Sequence, residues 1–238
     1  MKSFFRFLLQ FSCFFYSLFL SFIFSLRPLN LFLITLTQTL VSVFLLNNSL
    51  CVSNIFTLNY TVSCTHFYFL ILATVLSAAA GYILNDVFDR KIDLINSPKR
   101  GTFTEKNLSL LYFLSSLFFG IALLFSFVIS FQIGICVLFS VALLIFYAKY
   151  SKKLGIFKPI LVSFLTFFSI VLVGFGKFTT FSSIPIVVWV FSIWAFLLSM
   201  CREIVKDLED LEGDSFQNSF TSVIQLGTKK SILLLNFL

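Results

Sequence analysis

Six stretches of the chain, 29–46, 67–84, 108–129, 132–148, 159–177 and 184–201, are apolar almost throughout and contain one charged residue between them, Lys177. Each is about as long as the roughly 17–25 residues that carry a helix across the hydrocarbon of a bilayer. A further apolar segment begins near Ser231. Of the 238 residues, 59% are hydrophobic and 11% charged, against about 25% charged in a soluble domain. Too few polar groups remain to cover a surface in water. The expected fold is all-α: a polytopic bundle of transmembrane helices. Residues 1–26 are also apolar, broken by Arg6 and Gln10; they are expected to form an N-terminal extension or extra helix, with no cleavage site evident. Residues 27–238 are expected to form the main domain.

The basic residues orient the bundle. With the start of the first of these spans inside, 16 of the 17 Lys and Arg residues fall on the inner side, and only Lys177 falls outside. Such an asymmetry follows the positive-inside rule. It predicts a multi-pass protein of a cell membrane, taken as a bacterial inner membrane, with its polar face toward the cytoplasm. The net charge of +7 then answers to anionic lipid, and no nucleic-acid partner is implied. With a single histidine, His66, and no CxxC pair, a zinc site has little to be built from. Cys51 and Cys64 share one outer loop and would pair there in an oxidising compartment.

All ten acidic residues lie in two inner segments. The first reads Asn85-Asp86-Val87-Phe88-Asp89-Arg90-Lys91-Ile92-Asp93 and closes a span. If the chain is still helical there, Asp86, Asp89 and Asp93 stand at i, i+3 and i+7 on one face. The second runs from Arg202-Glu203 to Asp214, and Asp207, Asp210 and Asp214 repeat the spacing. Carboxylates on one helical face repel one another unless a cation lies between them. Mg²⁺ suits that role, since it takes hard oxygen ligands and keeps room for water and substrate phosphate. Nearby bases (Arg90, Lys91, Lys99, Arg100, Lys149, Lys152, Lys153) would neutralise remaining charge on a bound diphosphate. Solvated loops would instead scatter their acids. A transporter would need polar groups deep in its spans, where only Thr35 and Gln38 stand out, and Gln38 is expected to bind helix to helix.

With these residues in hand, the chain resembles the UbiA superfamily of intramembrane prenyltransferases over about residues 24–238. Asn85, Asp86, Asp89 and Asp93 match its NDxxDxxxD motif, and Asn96-x-Pro98-x-Arg100 resembles the continuation, with Gly101 where proline is common. The segment from Arg202 to Asp214 resembles the second Asp motif. Its wording is nearest the branch that includes digeranylgeranylglyceryl phosphate synthase. Arg27-Pro28-x-Asn30 resembles the opening motif.

The resemblance implies a Mg²⁺-dependent transferase that moves a prenyl group from a prenyl diphosphate to a lipid or aromatic acceptor. An isoprenyl-glycerol phosphate is the first choice of acceptor and a quinone precursor the next. It assigns metal–diphosphate binding and catalysis to Asp86, Asp89, Asp93, Asp207, Asp210 and Asp214. Substrate contacts are implied at Arg27, Asn30, Asn85, Arg90, Arg100, Lys149, Arg202 and Lys206. Membrane lipid is the surrounding partner, and no protein partner is implied. Family members form bundles of about nine helices, so this chain is expected to lack the last ones; an inactive remnant that binds prenyl diphosphate without turnover is the alternative.

Overall fold

The computed structural model describes residues 22–23, 25–46, 62–178, 180–211 and 220–238. Most of the 1–26 extension, Cys51 and Asp214 lie outside them. Nine α-helices are described: α1 (Pro28–Leu40), α2 (Val62–Asn96), α3 (Pro98–Lys106), α4 (Leu108–Ile129), α5 (Phe131–Tyr150), α6 (Phe157–Phe178), α7 (Ile186–Glu209), α8 (Ser222–Leu226) and α9 (Thr228–Phe237). A π-helical turn, Val41–Leu45, extends α1. Six of these, α1 with its extension, α2, α4, α5, α6 and α7, are long and apolar enough to cross a membrane, and they coincide with the six apolar stretches. The protein is an integral, multi-pass, all-α membrane protein.

Helix α2 organises the bundle, packing on α4, α5, α1 and α6, while α6 pairs with α7. Its small residues explain its central place. Ala79 and Ala80 are buried, and a Cβ on Gly81 would stand 3.0 Å from Leu144 Cδ2 on α5, so bare backbone sets how closely the two helices approach. The packed centre includes Leu70, Leu84, Val137, Ile170, Leu172 and Val188. Outside it, Phe113, Leu124, Phe131, Ile186, Trp194 and Leu198 are exposed, a surface that only lipid tolerates.

Gln38 is 1% exposed. Its Nε2 donates to the Ser169 carbonyl at 3.0 Å, and Thr74 Oγ1 donates to its Oε1 at 2.8 Å. Its amide therefore ties α1, α6 and α2 together, as an amide in hydrocarbon must find partners. Cys64 is disulfide-bonded; the pairing expected with Cys51 falls outside the described residues.

Two features bring polar chain to one end of the bundle. With 35 residues, α2 is roughly 52 Å long at about 1.5 Å per residue, well beyond the roughly 30 Å of hydrocarbon. Its last turns must therefore leave the membrane, still helical. The second feature is a clasp between the turn after α5 and the start of the C-terminal segment. Phe220 N donates to the Lys152 carbonyl at 2.6 Å, and Gly155 N donates to the Phe220 carbonyl at 2.9 Å. Ile156 N adds a bond to Gln225 Oε1 at 3.1 Å.

Candidate active site

The first acidic cluster lies on the last turns of α2, and each carboxylate meets a base from a different segment. Arg27 Nη2 donates to Asp86 Oδ1 at 3.1 Å. Arg100 Nη2, from α3, donates to Asp93 Oδ1 at 2.9 Å. Lys152 Nζ stands 3.5 Å from Asp89 Oδ1 and donates to the Phe88 carbonyl at 3.1 Å. Asn85 Nδ2 donates to Asp89 Oδ2 at 2.8 Å, one helical turn away.

Local backbone explains two of these reaches. Arg27 has φ of 50°, a left-handed conformation that is uncommon for any residue other than glycine and the more so before proline; such strain is held only where the surroundings fix it. Burial alone would lower the pKa of this guanidinium, but the Asp86 carboxylate, together with the phenols of Tyr147 and Tyr82, holds the pKa above its usual value. Gly101 lets α3 cross the end of α2: a Cβ there would come 2.5 Å from Leu94 N. That close approach seats Arg100 against Asp93.

The second cluster is described only as far as Leu211, so whether Asp214 shares a face with Asp207 and Asp210 lies outside the described residues. Helix α7 ends at Glu209, and Asp210 is its C-cap, with φ of −86° and ψ of 4°. Glu209 and Asp210 stand at that C-terminus, where negative charge is unfavourable. Asp207 is 0% exposed and fully engaged. Lys158 Nζ donates to its Oδ1 at 2.5 Å and Ser222 Oγ to its Oδ2 at 2.7 Å.

Two adjoining cavities lie between these helix ends. The smaller, about 110 Å³, is lined by Asp89, Asp93 and Asp210 and by Arg27, Arg100, Lys152, Lys158 and Lys206. Two of its five cations, Arg27 and Lys158, pair with Asp86 and Asp207 just outside the lining. The larger, about 360 Å³, shares Arg27, Asn85, Arg100, Tyr147 and Lys206 with it and continues along apolar walls such as Ala78, Val137, Leu144, Leu165 and Leu172. One end is lined mainly by charged side chains and the other mainly by apolar ones.

Of the residues singled out by sequence, Arg27, Asn85, Asp89, Asp93, Arg100, Lys206 and Asp210 line the smaller cavity, and Asn30 and Arg202 join the larger. Arg202 Nη2 donates to Asn30 Oδ1 at 3.1 Å. Asp86 and Asp207 flank the cavities through their ion pairs. Arg90 instead donates to the Val87 carbonyl, and Lys149 is exposed over the Tyr150 ring, so neither lines either of these two cavities. Tyr147 does, because two residues along a helix turn the side chain by roughly 200°. Lys152 appeared in the sequence only as one of several nearby bases. Tyr82, Tyr147, Lys158, Glu203 and Thr221 were not anticipated as lining residues; the sequence signalled Glu203 only as part of the second acidic motif and Tyr147 only by its place beside Lys149.

The donor set fits a hard divalent cation in part. Asp86 Oδ2, Asp89 Oδ1, Asp93 Oδ2 and Asn85 Oδ1 are buried oxygens with no hydrogen-bond partner among the described residues. No three acids there are close enough to enclose one ion. Mg²⁺ does not require that, since it is commonly held by one or two carboxylates together with substrate phosphate and water.

The chain matches the UbiA prenyltransferase family over residues 49–238. It is 36% identical over 157 residues to the digeranylgeranylglyceryl phosphate synthase of Saccharolobus solfataricus, covering 66% of this chain and 55% of the relative. It is 32% identical over 164 residues to the enzyme of that name from Methanosphaera stadtmanae, covering 68% and 58%. The chain thus spans little more than half the length of these relatives. A solved structure concerned with the biosynthesis of digeranylgeranylglyceryl phosphate synthase in membranes superposes with a TM-score of 0.66 at 23% identity, covering 92% of this chain and 73% of that one. Family match and shared fold agree: this chain belongs to the UbiA prenyltransferase family.

Proposed function

We propose that the chain carries the site of an intramembrane prenyltransferase, which moves a prenyl group from a prenyl diphosphate to an isoprenyl-glycerol phosphate. A quinone precursor is the next choice of acceptor. The observation that carries this reading is the join between a small cation-rich cavity and a larger apolar one, the shape of a diphosphate with a hydrocarbon tail. Both relatives above are named digeranylgeranylglyceryl phosphate synthase, which favours a glycerol-phosphate lipid as acceptor.

Arg27, Arg100, Lys152 and Lys206 would hold the diphosphate oxygens through charge-assisted hydrogen bonds. The unpartnered oxygens of Asp86, Asp89, Asp93 and Asn85, with Asp210 across the cavity, would hold Mg²⁺. When bound, the ion supplies Lewis-acid neutralisation of the leaving diphosphate. Tyr82 and Tyr147 line the larger cavity, where aromatic faces stabilise positive charge developing on the allylic carbon. The apolar walls keep water from competing with the acceptor. The site is assigned to the cytoplasmic face of a cell membrane, on the strength of its basic inner segments.

The test is thermal unfolding of the protein in detergent, with and without magnesium and geranylgeranyl diphosphate. A ligand that binds the folded state raises the midpoint according to its concentration over its Kd. Stabilisation that requires both additions supports the reading, and its absence from a folded sample removes it. Stabilisation without transfer would favour the inactive remnant.

A further inference from the structure

Glu203 lies on α7 one turn before Asp207, so it stands roughly 6 Å deeper along the helix. It lines the larger cavity and not the smaller one. The residue is 6% exposed, and its Oε2 has no hydrogen-bond partner among the described residues. Four nearby cations are committed to other acids, Arg27 to Asp86, Arg100 to Asp93, Lys152 to Asp89 and Lys158 to Asp207, and Lys206, which interacts electrostatically with Glu203, forms no ion pair with it. No ion pair among the described residues includes Glu203. A buried carboxylate with a vacant oxygen is costly to keep, and ionisable groups at membrane depth are characteristic of functional sites.

The diphosphate machinery leaves Glu203 unused, and the transfer lacks one component. An acceptor hydroxyl that attacks the allylic carbon must give up its proton. From the position of Glu203 between the charged end and the apolar walls, we infer that it is the group that accepts the hydroxyl hydrogen bond of the acceptor and takes its proton. This rests on the prenyltransferase reading. The allylic C–O bond breaks with its electron pair passing to the diphosphate. A lone pair of the hydroxyl oxygen forms the new C–O bond, and the proton moves to Glu203 Oε2 and then to water. A carboxylate suits this better than the adjacent phenols of Tyr82 and Tyr147, since its oxygens are acceptors and a phenol carries its own proton. The acceptor is therefore an alcohol, and a second carboxylate on it would be repelled.

The test compares wild type, Glu203→Gln and Glu203→Asp in two measurements: magnesium-dependent thermal stabilisation by geranylgeranyl diphosphate, and prenyl transfer to geranylgeranylglyceryl phosphate. Glu203→Gln keeps the shape and loses the proton acceptor. The expected result is unchanged stabilisation with transfer reduced about 100-fold or more, the usual weight of a positioned base, and partial recovery in Glu203→Asp. Transfer at the wild-type rate in Glu203→Gln overturns the assignment and leaves the prenyltransferase reading intact. Loss of stabilisation in that variant also overturns it, by making Glu203 part of diphosphate binding. Failure of wild type in both measurements removes the parent reading and this inference with it.

Discussion

Lys158 Nζ stands 2.5 Å from Asp207 Oδ1, and the two side chains are 12% and 1% exposed. The pair joins the first turn of α6 to the last turns of α7, and Ser222 adds the C-terminal segment to it. Removing one member of a buried ion pair leaves the other charge uncompensated, at a cost of about 3–5 kcal/mol. Lys158→Met should therefore lower the unfolding midpoint sharply in detergent without ligand, and adding Asp207→Asn should recover part of the loss. An unaltered midpoint in the single variant would show that the pair contributes nothing to the fold.

The two acidic clusters should be equally necessary for metal-dependent binding. Asp89→Asn and Asp210→Asn are each expected to abolish the stabilisation by prenyl diphosphate that depends on magnesium. Either variant binding as well as wild type would withdraw that residue from the site.

Arg27 should contribute to diphosphate affinity directly. A hydrogen bond to a charged group contributes about 1.5–3 kcal/mol, so Arg27→Ala should raise the Kd for prenyl diphosphate roughly 10- to 100-fold. Calorimetry in detergent would measure it, and a Kd within error of wild type would exclude the contact.

Lys149 and Lys152 give a contrast within one turn of chain. Lys149 is exposed outside both cavities, whereas Lys152 lines the smaller one beside Asp89. Lys149→Ala should change diphosphate affinity by no more than about twofold, as surface substitutions usually do, and Lys152→Ala should weaken it at least about tenfold. The opposite order would mean that the turn after α5 is arranged differently.

The apolar walls should set the length of prenyl chain accepted. Ala78 lines the larger cavity, and Ala78→Phe adds bulk there. The variant should favour geranyl over geranylgeranyl diphosphate relative to wild type, as read from their Kd values. An unchanged ratio would place the hydrocarbon tail elsewhere.

The spans and the first acidic cluster were legible because each rests on local information: uninterrupted apolar runs, and a helix that carries Asp86 to Asp93 past the end of one. Helix ends were less so. Hydropathy places the last full span at 184–201, yet α7 runs on to Glu209, since its charged turns keep helical order after leaving the apolar region. Equal spacing in the second cluster hid unequal structure, because Asp207 lies within a helix and Asp210 at its end. The bond from Phe220 N to the Lys152 carbonyl joins backbone groups 68 positions apart, and side-chain identity does not announce such contacts. Glu203 was visible only as part of a motif. Its missing partner is a property of the packed bundle.

Because α2 is longer than the hydrocarbon is thick, bilayer thickness itself sets the depth of the candidate site. A thicker bilayer would draw Asp86 toward the oil or tilt the helix, and a thinner one would pull the tail cavity toward water. The site is thus tied to an interface, and the lipid composition around the protein becomes a condition of its chemistry.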